Sequence, residues 1–136
     1  MEPRKKEATV ERQDPLKLSE RFLSAWNSQD VDSVLSCYTE DGIYQDPNTR
    51  GPVVGHEALR HYLTRLFDAW TMHWSMREFF PFADGNGGAF LWRAELKPAS
   101  GGKGVEISGM DLALLRGDRL CRNEVYFDRV GLFSNE

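Results

Sequence analysis

Residues 105–127, VEISGMDLALLRGDRLCRNEVYF, contain two runs of alternating side chains on either side of a Gly-Asp turn. Alternation with a period of two is typical of β-strands, and a short glycine turn joins strands that pair antiparallel. The odd positions from Val105 to Leu115 are apolar except for Asp111. The stretch therefore predicts a β-hairpin whose inner face carries one carboxyl group.

The direction of Asp111 depends on the register of its strand. The even positions, which include Met110 and Leu112, also become apolar toward the end of the run. A bulge near Gly109 would exchange the two faces and turn Asp111 outward. The uninterrupted alternation favours the inward orientation.

The second strand of the hairpin adds another polar group to the same face. Asn123 alternates with Cys121, Val125 and Phe127, which are apolar or weakly polar. A buried amide or carboxyl group costs several kcal/mol unless it is hydrogen-bonded. Asn123 is therefore expected either to be a satisfied buried amide or to contact a ligand.

Two further strands precede the hairpin. Residues 72–77 and 90–97 alternate in the same way, with Trp74 and Trp92 on their apolar faces, and the turn sequences ADGNGG and PASGGKG separate these strands from their successors. Glu78 also interrupts an apolar alternation and is a weaker candidate for an inward carboxylate.

The N-terminal half of the domain shows helical spacing. Asp14 is a candidate N-cap followed by Pro15 at the first helical position. Helices followed by consecutive antiparallel strands predict an α+β domain with a curved sheet over three helices, bounded at 15–133 between tails at 1–14 and 134–136. The apolar stripes of the three helices are Leu18, Phe22, Ala25 and Trp26; Val31, Val34, Leu35 and Tyr38; and Leu59, Tyr62, Leu63, Leu66, Phe67 and Trp70.

A second acid follows a short apolar run in GIYQDPNTRGPVVG, residues 42–55. Pro47 favours an extended conformation at Asp46, which would place this acid on the same face as Tyr44. Asp46 and Asp111 could then reach one cavity from different elements. Asp46 could equally be an exposed residue that forms the turn before PNTRG.

Composition excludes several classes of function. The 136 residues carry a net charge of −4 without a basic cluster in the domain, which argues against nucleic acid as a partner. No apolar run reaches the roughly 18 residues that span a bilayer, and no secretory leader is evident, so a cytoplasmic protein with no membrane partner is expected. The cysteines and histidines lack metal-site spacing and no phosphate-binding glycine loop occurs, so neither a metal nor a cofactor is expected.

These motifs resemble the SnoaL-like branch of the NTF2-like superfamily, which includes polyketide cyclases and, more distantly, ketosteroid isomerase. The resemblance covers residues 15–133 and is carried by AWNSQDVDSVLSCYTEDGIYQDPNTRGPVVGHEALRHYL and SGMDLALLRGDRLCRNEVYFD. It implies a cone-shaped α+β fold whose helices and curved sheet enclose an apolar pocket. The same fold hosts enzymes and binding proteins, so it does not by itself define a reaction.

The resemblance also implies residue roles. Asp46 corresponds to the general base of ketosteroid isomerase, and Asp111 to the acid that, when protonated, donates to the substrate oxygen. Phe22 stands where the isomerase has its oxyanion tyrosine, and Gly109 stands where an epoxide hydrolase of this fold would carry Arg. The expected pocket residues are Phe22, Trp26, Tyr44, Tyr62, Trp70, Trp74, Trp92, Asn123, Val125 and Phe127.

Three hypotheses follow from the sequence. The first is a cofactor-free enzyme that moves a proton next to a carbonyl of a small apolar, cyclic or polyketide-like molecule, by isomerisation or aldol cyclisation. The second is a non-catalytic small-molecule-binding or accessory module. The third is a protein interaction domain that uses the outer face of the sheet, although a homodimer through that face explains its apolar residues more simply.

Overall fold

The computed structural model describes residues 14–129 and contains three helices and six strands in that range. Of the predicted N-terminal tail 1–14, residues 1–13 lie outside the described residues, as does the whole predicted tail 134–136. The helices are α1 (Pro15–Ser28), α2 (Val31–Leu35) and α3 (His56–Ala69). The strands are β1 (Tyr38–Gln45), β2 (Val53–Val54), β3 (Trp70–Pro81), β4 (Gly87–Pro98), β5 (Val105–Arg116) and β6 (Arg119–Phe127).

All six strands form one sheet in the order β2-β1-β6-β5-β4-β3. Neighbours pair antiparallel except β1 and β6, which are parallel. The expectation of consecutive antiparallel strands is therefore right for β3 to β6, and the sheet gains a parallel strand from the N-terminal half. Tyr38 and Trp70, predicted as the last residues of helical stripes, are instead the first residues of β1 and β3. Aromatic residues are enriched in strands, and helical spacing does not by itself fix the last residue of a helix.

Helix α1 begins as the sequence predicted, because the Asp14 side chain accepts from the backbone N–H of Leu16 and Pro15 occupies the first turn. Its C-terminal end is attached to β3, an edge strand. Asn27 and Gln29 each exchange two hydrogen bonds with the backbone of this strand, at Trp74 and around Trp70 and Met72. These amides satisfy backbone groups that an open sheet edge would leave unpaired.

Strand β3 contains an irregularity that the alternation did not reveal. Its register with β4 shifts between Met76 and Glu78, so the faces exchange beyond this point. Glu78 and Phe80 are exposed, whereas Phe79 packs against the core. Glu78 is therefore not an inward carboxylate.

The core lies between the concave face of the sheet and the three helices. The largest side chains with almost no exposed surface are Trp92, Tyr38, Phe90, Leu59 and Leu63. None of the helices between residues 14 and 129 is both long and apolar enough to cross a membrane.

Candidate active site

A cavity lies inside the cone, under α1 and α3 and against the concave face of the sheet. Its volume is about 60 Å³, which is room for a few water molecules and less than the roughly 150 Å³ of a dry cavity that holds a benzene ring. Both predicted acids are part of its wall. The lining residues are Phe22, Leu23, Trp26, Tyr44, Asp46, Asn48, Tyr62, Leu66, Trp70, Met72, Trp74, Leu96, Ile107, Asp111, Val125 and Phe127.

Asp46 follows the end of β1 and is 8% exposed. The hydroxyl groups of Tyr44 and Tyr62 donate to its Oδ2 at 2.6 and 2.5 Å. The backbone N–H groups of Asn48 and Thr49 donate to its Oδ1 at 2.7 and 3.0 Å. A carboxylate offers about four acceptor positions, so these four donors occupy all of them. Asp46 therefore has both of the roles that the sequence offered as alternatives. Its Oδ1 forms the turn with residues 48 and 49, and its side chain is also part of the cavity wall.

The two tyrosines bound to Asp46 are held in their neutral form. Burial raises the pKa of Tyr44 well above its usual value, and the negative charge of Asp46 raises it further. Burial and the same carboxylate also raise the pKa of Tyr62. Both phenols therefore keep their protons, which they donate to Asp46, while their oxygens can still accept a hydrogen bond from a ligand.

Asp111 lies on β5, 4% exposed, and points into the cone as the alternation predicted. The indole Nε1–H of Trp92 donates to its Oδ1 at 2.7 Å, and the amide Nδ2–H of Asn123 donates to its Oδ2 at 2.9 Å. Burial raises the pKa of Asp111 from 3.8 to about 7, against these two hydrogen bonds and with a smaller contribution from the charge of Asp46. Asp111 can therefore be protonated or ionised near neutral pH.

Tyr38 fixes the orientation of Asn123. Its hydroxyl donates to Asn123 Oδ1 at 2.8 Å, while Asn123 Nδ2 also donates to the Leu112 carbonyl oxygen at 3.1 Å. Because a carbonyl can only accept, the amide nitrogen must face Leu112 and Asp111. Tyr38 thus orients the Asn123 amide that donates to Oδ2 of Asp111, while Trp92 supplies the donor on Oδ1.

Glycine at position 109 makes room for the Trp92 indole. A side chain there would begin 2.5 Å from Trp92 Cζ2 and 2.5 Å from the Tyr126 carbonyl oxygen. The ring thus occupies the space next to Asp111 that a residue at 109 would need.

Two indole N–H groups of the cavity wall have no acceptor. Nε1 of Trp26 and Nε1 of Trp74 are the buried side-chain polar atoms without a hydrogen-bond partner within residues 14–129. The two rings meet edge-on at 6.1 Å, and Trp74 meets Trp92 edge-on at 4.6 Å. In such arrangements an N–H can lie over an aromatic face, which is a weak interaction.

The structure brings together both predicted acids and eight of the ten predicted pocket residues. Trp92 and Asn123 do not reach the cavity and instead lie behind Asp111 as its hydrogen-bond donors. Alternation gives the face of a side chain but not its depth, so the sequence did not separate these two from the wall. The wall residues that the sequence analysis did not name as pocket residues are Leu23, Asn48, Leu66, Met72, Leu96 and Ile107. Among them, Met72, Leu96 and Ile107 were on predicted inward faces, and Leu66 on a helical stripe.

No group of three or more His, Cys, Asp or Glu side chains arranged to hold a metal ion occurs between residues 14 and 129. The polar chemistry of the cavity is that of two carboxyl groups in different settings. Asp46 has every acceptor position filled, whereas Asp111 retains free acceptor positions and can exchange a proton.

A helix-backed curved sheet that encloses a carboxyl-lined cavity defines the NTF2-like class of α+β cones. The model of the SnoaL-like domain family matches residues 19–123, and the chain belongs to this family. A comparison with curated proteins gave no match.

Solved structures share the fold at low sequence identity. The epoxide hydrolase/cyclase-like enzyme SalBIII, of pyran ring formation in the polyether salinomycin, is 19% identical over 86% of this chain and 92% of its own, with a TM-score of 0.77. A ketosteroid isomerase-like protein from Erwinia carotovora atroseptica is 21% identical over 86% and 95%, with a TM-score of 0.70. An LEH-like epoxide hydrolase from M. tuberculosis is 19% identical over 89% and 87%, with a TM-score of 0.73. At these identities the likeness establishes the fold.

Proposed function

We propose that the protein binds the apolar part of a small molecule in the cavity and catalyses a cofactor-free proton transfer next to a carbonyl group. The observation that carries this proposal is Asp111, a buried carboxyl group in the cavity wall with a pKa of about 7. General acid–base catalysis is most efficient when the pKa of the group lies near the working pH.

In the proposed reaction the ionised Asp111 removes a proton from the carbon next to a substrate carbonyl, which leaves an enolate. In an isomerisation, the protonated Asp111 returns that proton to another carbon of the same molecule. In an aldol cyclisation, the enolate carbon forms a bond to a second carbonyl carbon, and the resulting alkoxide takes the proton from Asp111. Both routes restore the carboxylate and require no further reactant.

The contacts of the two acids support this distribution of roles rather than the one that the resemblance to ketosteroid isomerase implies. As a base, Asp46 would have to give up one of its four donors before it could accept a proton. We therefore assign to Asp46 the positioning of Tyr44 and Tyr62, whose phenol oxygens can accept from a hydroxyl group of the substrate.

The cavity volume limits the size of the part that enters. Because the cavity measures about 60 Å³, a six-membered ring can enter it only if side chains of the wall move. Met72 is a candidate, because its unbranched thioether side chain adapts its conformation at low cost.

The test is exchange of hydrogen for deuterium next to the carbonyl in a panel of cyclic enones and ketones. In the wild type, exchange should rise with pH and level off above about 7, where Asp111 is ionised. Asp111→Asn should lower the rate by roughly a hundredfold or more, and Asp46→Asn should lower it less, mainly by weakening binding. Asp68→Asn, at an exposed position of α3, is the matched control and should have no effect.

Two results would change the proposal. Binding of the ketones without exchange would indicate the non-catalytic small-molecule module. Exchange that survives in Asp111→Asn and disappears in Asp46→Asn would restore the roles implied by the resemblance.

We also propose a homodimer through the convex face of the sheet. Leu91, Met110 and Tyr126 are cross-strand neighbours on this face, and Tyr126 is 51% exposed. Sedimentation of the wild type should show a dimer, and Met110→Arg should give a monomer with the same secondary structure.

The cytoplasmic location stays a prediction from the sequence, which cell fractionation would test.

A further inference from the structure

An open groove of about 1370 Å³ runs along the outside of α3, between this helix and the segment 48–54. It adjoins the cavity, because Asn48, Tyr62, Leu66 and Trp70 line both. The other residues of the groove are Thr49, Arg50, Pro52, Val53, Val54, Glu57, Ala58, Arg60, His61, Thr64, Arg65 and Ala69.

The charged side chains of this groove are mostly basic. Arg50, Arg60 and Arg65 line it together with a single carboxylate of the described residues, Glu57. Arg60 is paired with Asp32 at 2.8 Å. Arg50 and Arg65 are exposed and form no ion pair within residues 14–129. This local excess of positive charge contrasts with the net charge of −4 of the whole chain.

The two spaces differ in size by more than an order of magnitude. The cavity, at about 60 Å³, holds only a few non-hydrogen atoms, whereas the groove is large and open. A ligand that reaches Asp111 and is larger than a few atoms extends beyond the cavity, and the groove is the large space that shares a wall with it. Its outer part then lies among the arginine side chains.

We propose that the substrate is amphiphilic, with an apolar carbonyl-bearing end in the cavity and an anionic group, a carboxylate or a phosphate, bound in the groove by Arg50 and Arg65. The inference rests on the proposed function, because it concerns the substrate of the same site. Guanidinium groups bind both anions through paired N–H donors. The anion comes either from the substrate itself as a carboxylate or from an attached carrier as a phosphate.

Matched probes with one apolar chain test this inference by isothermal titration calorimetry at low ionic strength. Octanoate and octyl phosphate carry the anion, and methyl octanoate is the neutral counterpart. Two arginines near an exposed anion should give a preference of roughly tenfold over the ester. This preference should shrink at high salt, because screening weakens interactions between exposed charges. The better of the two anionic probes identifies the source of the anion.

The double variant Arg50→Gln/Arg65→Gln should bind the anionic probes no more than about twofold better than the ester, with the affinity for the ester unchanged. Arg77→Gln, an exposed arginine of β3 outside the groove, is the control and should keep the full preference. Circular dichroism verifies the fold of each variant.

An ester that binds the wild type as tightly as the anions would overturn this inference and leave the proposed function intact. So would an anion preference that persists in the double variant. If none of the three probes binds, this inference is overturned, whereas the proposed function is decided separately by the exchange assay with the cyclic ketones.

Discussion

Replacing Asp111 by Asn tests the electrostatic argument for the cavity through protein stability, independently of any substrate. In the wild type the pKa of Asp111 is about 7 in the folded state and 3.8 in its ordinary, solvated state. Below pH 3.8 both states carry the proton and the stabilising effect of the neutral acid is complete. Between these two values the unfolded chain releases the proton while the folded chain keeps it. Stability must therefore fall as pH rises.

The size of this loss follows from the two pKa values. Each pH unit between them costs about 1.4 kcal/mol, so the interval from 3.8 to about 7 corresponds to roughly 4 kcal/mol. Above about 7 both states are ionised and the contribution stays constant. Asparagine does not titrate, so Asp111→Asn lacks this dependence altogether. The variant should lose a hydrogen bond at every pH, because its amide nitrogen must face one of the two donors, Trp92 or Asn123.

The measurement is urea unfolding followed by tryptophan fluorescence at several pH values between about 4 and 8, which span the titration of Asp111. The difference in free energy of unfolding between wild type and Asp111→Asn should shrink by roughly 4 kcal/mol across this range. Taking the difference removes the contributions of distant titrating groups, which are common to both proteins. Asp68→Asn should give a curve parallel to the wild type. Parallel curves for Asp111→Asn and wild type would refute the raised pKa.

Three further substitutions probe the surroundings of the two acids. Gly109→Ala should destabilise the fold by roughly 1–3 kcal/mol, because the new methyl group displaces the ring of Trp92; urea unfolding measures this. Tyr44→Phe should cost roughly 1.5–3 kcal/mol at neutral pH through the lost hydrogen bond to the Asp46 carboxylate, and an unchanged denaturation midpoint would contradict that bond. Asn123→Leu removes the hydrogen-bond partner of the buried Tyr38 hydroxyl and one donor of the buried Asp111 carboxyl group. It should therefore lower the thermal midpoint more than Tyr44→Phe does.

The sequence predicted the faces of the hairpin because a strand period of two assigns each side chain to one side of the sheet. Asp111 and Asn123 are both buried for this reason. The same rule failed in β3, where a register shift after Met76 moved Glu78 to the surface. A bulge adds one residue without any change in composition, so the alternation alone could not locate it.

The surroundings of Asp46 could be read only in part from its neighbours in the chain. Its contacts with two following N–H groups are those of the turn that an Asp in this setting predicted, and its contact with Tyr44 agrees with the predicted shared face. The fourth donor, Tyr62, comes from α3, and β1 itself pairs in parallel with β6, some eighty residues away. Such long-range packing decides that all acceptor positions of Asp46 are filled, and hence that Asp111 is the freer acid.

The missing side chain at position 109 has a chemical consequence beyond packing. An epoxide hydrolase of this fold, by the resemblance, would carry Arg there, two residues before the acid. A guanidinium beside Asp111 would favour its charged form and lower its pKa. Here the space holds the indole of Trp92, a neutral donor, so burial dominates and the pKa of Asp111 rises to about 7. Gly109 and Trp92 together thus change the acid from one fixed as a carboxylate into one that can gain and release a proton at neutral pH.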